Sequence, residues 1–143
     1  MNIVMDTNVL VSAVLWKGLP HDALRITLAS HTLVQSPETV EELENVITRK
    51  KFSSILSRNG LVAKDIVEAL LAQCELYVVS AEMRKKAKTV AIDDSDDLVF
   101  ITLALEAKAG FIVTGDDHLL RIGKAFGINI LTVTDFIAAC RKL

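Results

Sequence analysis

The feature that most constrains the fold is a regular alternation of short and long apolar segments. Short β-branched runs flanked by polar or glycine residues are predicted to be buried strands, at residues 2–5, 32–35, 76–79, 111–113 and 129–133. Longer segments with helical apolar spacing are predicted to be helices, at residues 20–29, 37–49, 61–74, 82–90, 97–108, 117–125 and 134–141. Strands and helices that alternate in this way predict an α/β fold, with a parallel sheet covered by helices on both faces.

Length and composition predict one self-sufficient domain over residues 1–143. The chain has 143 residues, and no repeat or linker-like segment divides it. Hydrophobic residues make up 51% of the sequence and charged residues 24%, which excludes a disordered chain. No apolar run is long enough to span a membrane, and Asp6 stands where a signal peptide would carry positive charge. Because the two cysteines also lack metal-type spacing, we expect a cytoplasmic protein.

The charge balance limits how the chain could bind nucleic acid. With 18 acidic residues against 16 basic ones the net charge is −2, so the chain lacks the broad positive field of a protein that binds nucleic acid by charge alone. Bound divalent cations would offset this deficit. The positions of the acids therefore matter more than their sum.

Several common catalytic motifs are absent from the sequence. It contains no G-x-x-x-x-G-K-[ST] phosphate loop, no G-x-G-x-x-G after the first strand and no G-x-S-x-G elbow. The histidines, His21, His31 and His118, share no motif spacing, which disfavours zinc and favours surface or capping roles.

Two aspartates follow predicted strands. Asp6 comes directly after the first strand, and Asp116 comes after the fourth strand, behind Thr114 and Gly115. Open parallel sheets bind ligands beyond the carboxyl ends of their strands, so both aspartates are candidates for a site. Taken singly, each also fits a turn or a helix N-cap, and neither alone establishes a site.

Four further aspartates lie within five residues before an apolar helix. They are Asp93, Asp94, Asp96 and Asp97, around Ser95. A helix start gains from one cap and one more acid, whereas additional carboxylates repel one another unless a hard cation relieves the repulsion. The alternative is a solvated acidic loop with one cap.

The helix that starts after Ser36 carries another group of acids. These acids are Glu38, Glu41, Glu42 and Glu44, and the apolar stripe is Val40, Leu43, Val46 and Ile47. At about 100° per residue, Glu41 points away from the stripe, whereas Glu42 and Glu44 flank its two edges. Helix geometry leaves these two acids as alternatives for a cleft, and a solvated face is the alternative for the whole group.

Taken in order, these segments resemble the PIN-domain family. The resemblance is carried by Met5-Asp6-Thr7-Asn8 after a short strand, Val40-Glu41-Glu42-Leu43, Asp97 opening an apolar helix, and Thr114-Gly115-Asp116 after a later strand. It spans nearly the whole chain, and it is similar to single-domain bacterial and archaeal members that are toxin components of toxin–antitoxin pairs. Two positions depart from the family pattern, because Ser95 replaces a common proline and His118 replaces a common further aspartate.

The resemblance implies a three-layer α/β/α sandwich with a central five-stranded parallel sheet and a Mg²⁺- or Mn²⁺-dependent ribonuclease site. Its catalytic and metal-binding residues would be Asp6, Glu42, Asp97 and Asp116. It favours Glu42 over Glu44. It also favours Asp97 over Asp96, since Asp97 stands seven residues before Ala104 on the apolar helix, and it leaves Asp94 as the cap. Candidate supporting residues, for which a turn role is equally consistent, are Thr7, Asn8 and Thr114.

We therefore expect an endoribonuclease that hydrolyses RNA phosphodiester bonds, is held inactive by a cognate antitoxin and forms a homodimer. One alternative is a PIN-like module that binds RNA or a protein partner without hydrolysis. Another is a phosphoacceptor domain of the receiver type, which would need a lysine among residues 133–135, where Val, Thr and Asp stand. Basic clusters at residues 49–51 and 84–88 are candidate RNA contacts, although such clusters are more often solvated faces.

Overall fold

The computed structural model describes residues 1–90 and 95–142, so the predicted cap Asp94 and its neighbour Asp93 lie outside the described residues. The described elements in chain order are β1 (Asn2–Met5), α1 (Thr7–Leu15), α2 (Leu19–Ser30), β2 (Thr32–Gln35), α3 (Pro37–Ile47), α4 (Lys50–Arg58), α5 (Ala63–Leu71), β3 (Cys74–Leu76), α6 (Ala81–Ala87), α7 (Ser95–Glu106), β4 (Phe111–Val113), α8 (Asp117–Ile122), β5 (Lys124–Ala125), β6 (Ile128–Leu131) and α9 (Val133–Arg141). None of the described helices has the length and apolar character that a membrane crossing requires.

The strands form one sheet in the order β3-β2-β1-β4-β6-β5. Strands β3, β2, β1, β4 and β6 pair in parallel, which confirms the predicted five-stranded parallel sheet. The two-residue strand β5 adds an antiparallel edge beside β6. The strand order reverses between β1 and β4, and the carboxyl ends of these two neighbours therefore flank the crevice where α/β sheets bind ligands.

Successive strand residues enter the two faces of the sheet in turn. Ile3 and Met5 pack into a core with α1 to α5 and α9, whereas Val4 packs into a second core with α6 to α8. In β4, Val113 belongs to the first core and Ile112 to the second. Both faces of the central strands are buried, so residues 3–5 of β1 and all of β4 are apolar, and the sheet is the middle of three layers. The predicted α/β/α sandwich is confirmed.

Two helices were not predicted from the apolar spacing. Helix α1 buries Val9, Leu10 and Val11 in succession, so its apolar residues show no helical stripe. Helix α4 is amphipathic, but it buries only Phe52 and Leu56, a signal too short to stand out from the preceding helix.

The third strand lies earlier in the chain than its apolar run suggested. It pairs with β2 at Cys74–Leu76, not at residues 76–79. Strand β3 is an edge strand of the sheet, and Leu76 and Val78 are exposed. An apolar run is therefore not a reliable guide to pairing at this edge.

The predicted helix 117–125 ends at Ile122 because a hairpin follows it. Gly123 has a φ of 66°, which ends the helix in the left-handed region. Phe126 and Gly127 join β5 to β6 with φ values of 54° and 80°. Two positive φ angles in a two-residue loop are the geometry of the tight turns that match the twist of antiparallel strands.

Candidate metal centre

Asp6 lies at the carboxyl end of β1 and caps the first helix. Its Oδ1 accepts a hydrogen bond from the Val9 N–H at 2.8 Å, and its own N–H donates to the Val113 carbonyl of β4 at 3.0 Å. The extended backbone at this residue lets a short carboxylate turn back onto the first helical turn. Asp6 is therefore held in place by both strands of the crevice, and only 6% of it is exposed.

The buried position of Asp6 changes its acidity. Burial raises the pKa of the Asp6 carboxyl above its ordinary value of 3.8, and the negative charge of Asp116 raises it further. The Thr114 hydroxyl and the backbone N–H groups of Val9 and Gly115 act in the opposite direction. A bound cation would favour the charged form of such a carboxylate.

Thr114, at the end of β4, connects two of the predicted site residues. Its buried hydroxyl donates a hydrogen bond to Asp6 Oδ2 and accepts one from the Asp116 N–H at 2.9 Å. Asp116 is the N-cap of α8, and its Oδ1 accepts from the His118 N–H at 2.8 Å. One hydroxyl thus fixes the loop that carries Asp116 against the Asp6 side chain.

Asp97 and Asp116 share a cluster of donor atoms with His118. Asp97 lies in the first turn of α7 and is buried. His118 Nδ1 is 3.9 Å from Asp97 Oδ2 and 3.8 Å from Asp116 Oδ1, and one donor atom from each residue lies within 4.8 Å of the others. Two carboxylates fit Mg²⁺ or Mn²⁺, and an imidazole nitrogen is compatible with Mn²⁺ and later transition metals.

Glu42 is connected to the crevice through Thr7. The Thr7 hydroxyl donates to Glu42 Oε2 at 3.0 Å, and Thr7 directly follows Asp6. Glu44, the alternative on the same helix, lines a groove against Lys64 and Val67 of α5 instead. The two acids that helix geometry could not separate therefore point to different parts of the molecule.

The four predicted site residues fall into linked groups, not into one cluster of donor atoms. Within residues 1–90 and 97–142, the compact group joins Asp97 and Asp116 to His118, and it does not include Asp6 or Glu42. Asp6 and Asp116 line a depression of about 430 Å³, whereas Glu42 lines a groove of about 360 Å³.

His118 is the residue whose place in the site was not predicted from the sequence. Its lack of motif spacing favours a surface or capping role, and in the resemblance to PIN domains it replaces a common aspartate, yet its ring lies beside two of the candidate carboxylates. The available signal was the spacing Asp116-Asp117-His118. A residue two positions after an N-cap shares the same helix end, so its side chain can reach the groups near that cap.

The family model described as the PIN domain matches residues 2–118. The chain belongs to the PIN domain family. This finding confirms the predicted family. A comparison of this PIN domain with curated proteins found no match.

Solved structures with the same fold include three proteins of VapBC systems. VapBC2 from Rickettsia felis, bound to a DNA fragment from its promoter, gives a TM-score of 0.67 at 17% identity, covering 92% of this chain and 98% of that chain. VapBC-1 from nontypeable Haemophilus influenzae gives 0.63 at 16% identity, covering 94% and 99%. VapC20 from Mycobacterium tuberculosis, a sarcin-ricin loop cleaving toxin, gives 0.58 at 14% identity, covering 89% and 98%. At these identities the likeness shows that the fold is shared.

Proposed function

We propose that this PIN domain is an endoribonuclease that depends on Mg²⁺ or Mn²⁺ and uses Asp6, Glu42, Asp97 and Asp116 as its catalytic and metal-binding residues. The observation that carries the proposal is the position of Asp6 and Asp116. They follow the two strands at which the strand order reverses, and one Thr114 hydroxyl joins them. Asp97 adds a buried carboxylate with a donor atom within 4.8 Å of one on Asp116.

The residues of the proposed site supply negative charge and fix the orientation of the carboxylates for phosphodiester hydrolysis. A bound Mg²⁺ or Mn²⁺ supplies an activated water and offsets charge that develops on the phosphate oxygens. Asp97 and Asp116 would hold the ion through carboxylate oxygens, and Thr114 orients Asp6 by donating its only hydroxyl proton to that carboxylate. Thr7 restrains Glu42 in the same way from the adjoining helix. These restraints support the proposal that the carboxylates hold a cation.

Basic residues beside the acids favour a nucleic acid as the substrate. The groove that contains Glu42 is also lined by Arg49, and a cavity of about 240 Å³ is lined by Arg84 and Lys88. The groove and the cavity meet at Glu38, whose Oε1 accepts a hydrogen bond from Arg84 Nη2 at 3.0 Å in an ion pair. Phosphates of an extended strand would contact Arg49 and Lys88 while the acids face the scissile bond. RNA binding would need local positive charge of this kind, because the net charge of the chain is −2.

The solved structures support RNA as the substrate and a protein as the regulator. One similar protein is a sarcin-ricin loop cleaving toxin, and two similar structures are of VapBC. We therefore propose that this chain is the toxin of a toxin–antitoxin pair, a homodimer, and active on RNA in the cytoplasm. Expression of the chain should stop bacterial growth, and co-expression of a small protein encoded beside it should restore growth. For the homodimer, light scattering should give twice the mass of one chain.

Two adjacent aspartates provide a matched test of the ribonuclease. Asp116 faces the site, whereas its neighbour Asp117 is exposed and lies outside the donor cluster. With Mn²⁺ and a mixed pool of single-stranded RNA, the wild type and Asp117→Asn should cut at similar rates, and Asp116→Asn should be slower by roughly a hundredfold or more. A wild type that binds the RNA and leaves it intact would instead support the non-catalytic module.

A further inference from the structure

The imidazole of His118 is the unusual donor in the candidate metal centre. We propose that His118 is a metal ligand of this PIN domain and that its imidazole makes the centre prefer Mn²⁺ to Mg²⁺. This inference rests on the proposed function, since it concerns the same metal centre. The inference adds a fifth ligand to the four predicted acids. It also distinguishes Mn²⁺ from Mg²⁺, between which the acids alone do not decide.

The position of the ring fits a shared ion. Two donor atoms that bind one ion at about 2.1 Å can be at most about 4.2 Å apart. The Nδ1 atom of His118 is 3.9 Å from Asp97 Oδ2 and 3.8 Å from Asp116 Oδ1. Both distances are within that span, and both are too long for a direct hydrogen bond. The imidazole nitrogen is therefore spaced from each of the two carboxylates as two ligands of one ion would be.

The backbone of His118 explains why the ring stays near the carboxylates. The His118 N–H donates to Asp116 Oδ1 at 2.8 Å and so fixes the residue in the first turn of α8. The side chain is 52% exposed, and the ring can therefore adjust without disturbing the core. Because the cap uses the backbone N–H, substitution of the side chain leaves this hydrogen bond in place.

Donor chemistry gives the direction of the metal preference. Mg²⁺ is a hard ion that takes oxygen ligands and retains several waters, whereas imidazole nitrogen is a ligand for first-row transition ions. Replacing one oxygen donor by nitrogen therefore weakens Mg²⁺ binding relative to Mn²⁺ binding. The other two histidines have partners outside the candidate metal centre. His21 Nδ1 contacts the Ala13 carbonyl at 3.0 Å, and His31 Nδ1 contacts the amino group of Met1 at 3.4 Å.

The test compares two substitutions in the full-length chain. Calorimetry gives the Kd for Mn²⁺ and for Mg²⁺ with wild type, His118→Asp and His31→Gln. We expect wild type and His31→Gln to share one ratio of Mg²⁺ Kd to Mn²⁺ Kd, and His118→Asp to lower that ratio by about tenfold. Pulsed electron paramagnetic resonance of bound Mn²⁺ should detect coupling to a ligand nitrogen in wild type and His31→Gln, and should not detect it in His118→Asp.

The outcomes separate this inference from the proposed function. If Mn²⁺ binds without nitrogen coupling and His118→Asp keeps the wild-type ratio, His118 is not a ligand, and the carboxylate centre still stands. If the wild type binds neither Mn²⁺ nor Mg²⁺ at millimolar concentration, the ligand role of His118 and the proposed metal-dependent nuclease are both wrong.

Discussion

The two ends of the parallel sheet use polar residues in opposite ways. At the amino end of β1, the Asn2 side chain donates to the Ala107 carbonyl at 2.7 Å and to the Tyr77 hydroxyl at 3.2 Å. These partners are neutral, and the hydrogen bonds close the end of the sheet. At the carboxyl end, Asp6 is buried beside Asp116, and burial raises the pKa of Asp6. The amino end is built for stability, and the carboxyl end concentrates charge at a cost in stability.

This contrast indicates which substitutions should affect folding and which should affect chemistry. A neutral hydrogen bond contributes about 1 kcal/mol and leaves unsatisfied groups when it is removed. A buried carboxylate beside another acid opposes folding unless a cation binds it. The predictions below test the contrast, beginning with the largest expected effect.

Substitution of Asp6 by asparagine should separate catalysis from stability. The change removes a buried charge but keeps an acceptor for the Val9 N–H, so thermal stability without metal should hold or rise. RNA cleavage with Mn²⁺ should fall by orders of magnitude, at tenfold for each ~1.4 kcal/mol of lost transition-state stabilisation. Asp22→Asn, which changes an exposed acid in the first turn of α2, is the control and should leave the rate unchanged. An Asp6→Asn variant that is less stable and cuts RNA at the wild-type rate would mean that Asp6 is only a turn residue.

Addition of Mn²⁺ should stabilise the carboxyl end specifically. A ligand that binds only the folded state at a hundred times its Kd stabilises that state by about 2.7 kcal/mol. The melting temperature of the wild type should therefore rise with Mn²⁺ in scanning calorimetry, and Asp6→Asn should show a smaller rise. An unchanged melting temperature at millimolar Mn²⁺ would exclude an assembled metal centre.

Substitution of Asn2 by leucine should destabilise the amino end alone. It leaves the Ala107 carbonyl and the Tyr77 hydroxyl without the donor they share, and we expect a loss of about 1–2 kcal/mol in urea unfolding. The rate of RNA cleavage per folded molecule should equal that of wild type, because the proposed site lies at the other end of the sheet. A slower rate in fully folded protein would show that the two ends are coupled.

The smallest expected effect is the pH dependence that Asp6 adds to stability. The pKa of Asp6 is raised in the folded state. The contribution of Asp6 to the free energy of unfolding is therefore fully present below the ordinary pKa of 3.8, and it is lost as pH rises through the pKa of the folded state. Without metal, the unfolding free energy of wild type relative to Asp6→Asn should therefore fall as pH rises from about 4 to neutrality. Urea titrations at several pH values measure this difference, and a difference that increases with pH would contradict the raised pKa.

The strands and the residues at their ends are the parts of the molecule that the sequence predicts best. Both faces of the sheet are buried, so a short apolar run is itself the signature of a strand such as β1 or β4. Asp6 and Asp116 could be chosen because each follows such a run. The antiparallel strand β5 could not be recognised, since Lys124 and Ala125 carry no apolar pattern and the hairpin depends on the positive φ angles of its turn.

The rest of the site depends on contacts between elements that are distant in sequence. Helix geometry places Glu42 and Glu44 equally near a cleft, and in the structure the hydrogen bond from Thr7 to Glu42 distinguishes them. The resemblance to PIN domains favours Glu42. In the same comparison, His118 is a departure from the family pattern. The spacing Asp116-Asp117-His118 indicates that His118 lies near Asp116, but its proximity to Asp97 follows from how α7 and α8 pack.

The pairing of β1 with β4 has a consequence for the timing of folding. Ile3 lies opposite Phe111, and the hydrogen bond from Thr114 to Asp6 spans 108 residues of the chain. At about 5–20 residues per second, a ribosome needs roughly 5–20 s to add that interval, and contacts across such long separations also form slowly. Until the residues after β4 have been translated, the emerging polypeptide cannot hold its acids together. For the nuclease proposed above, we therefore expect a nascent chain that ends before Thr114 to be inactive.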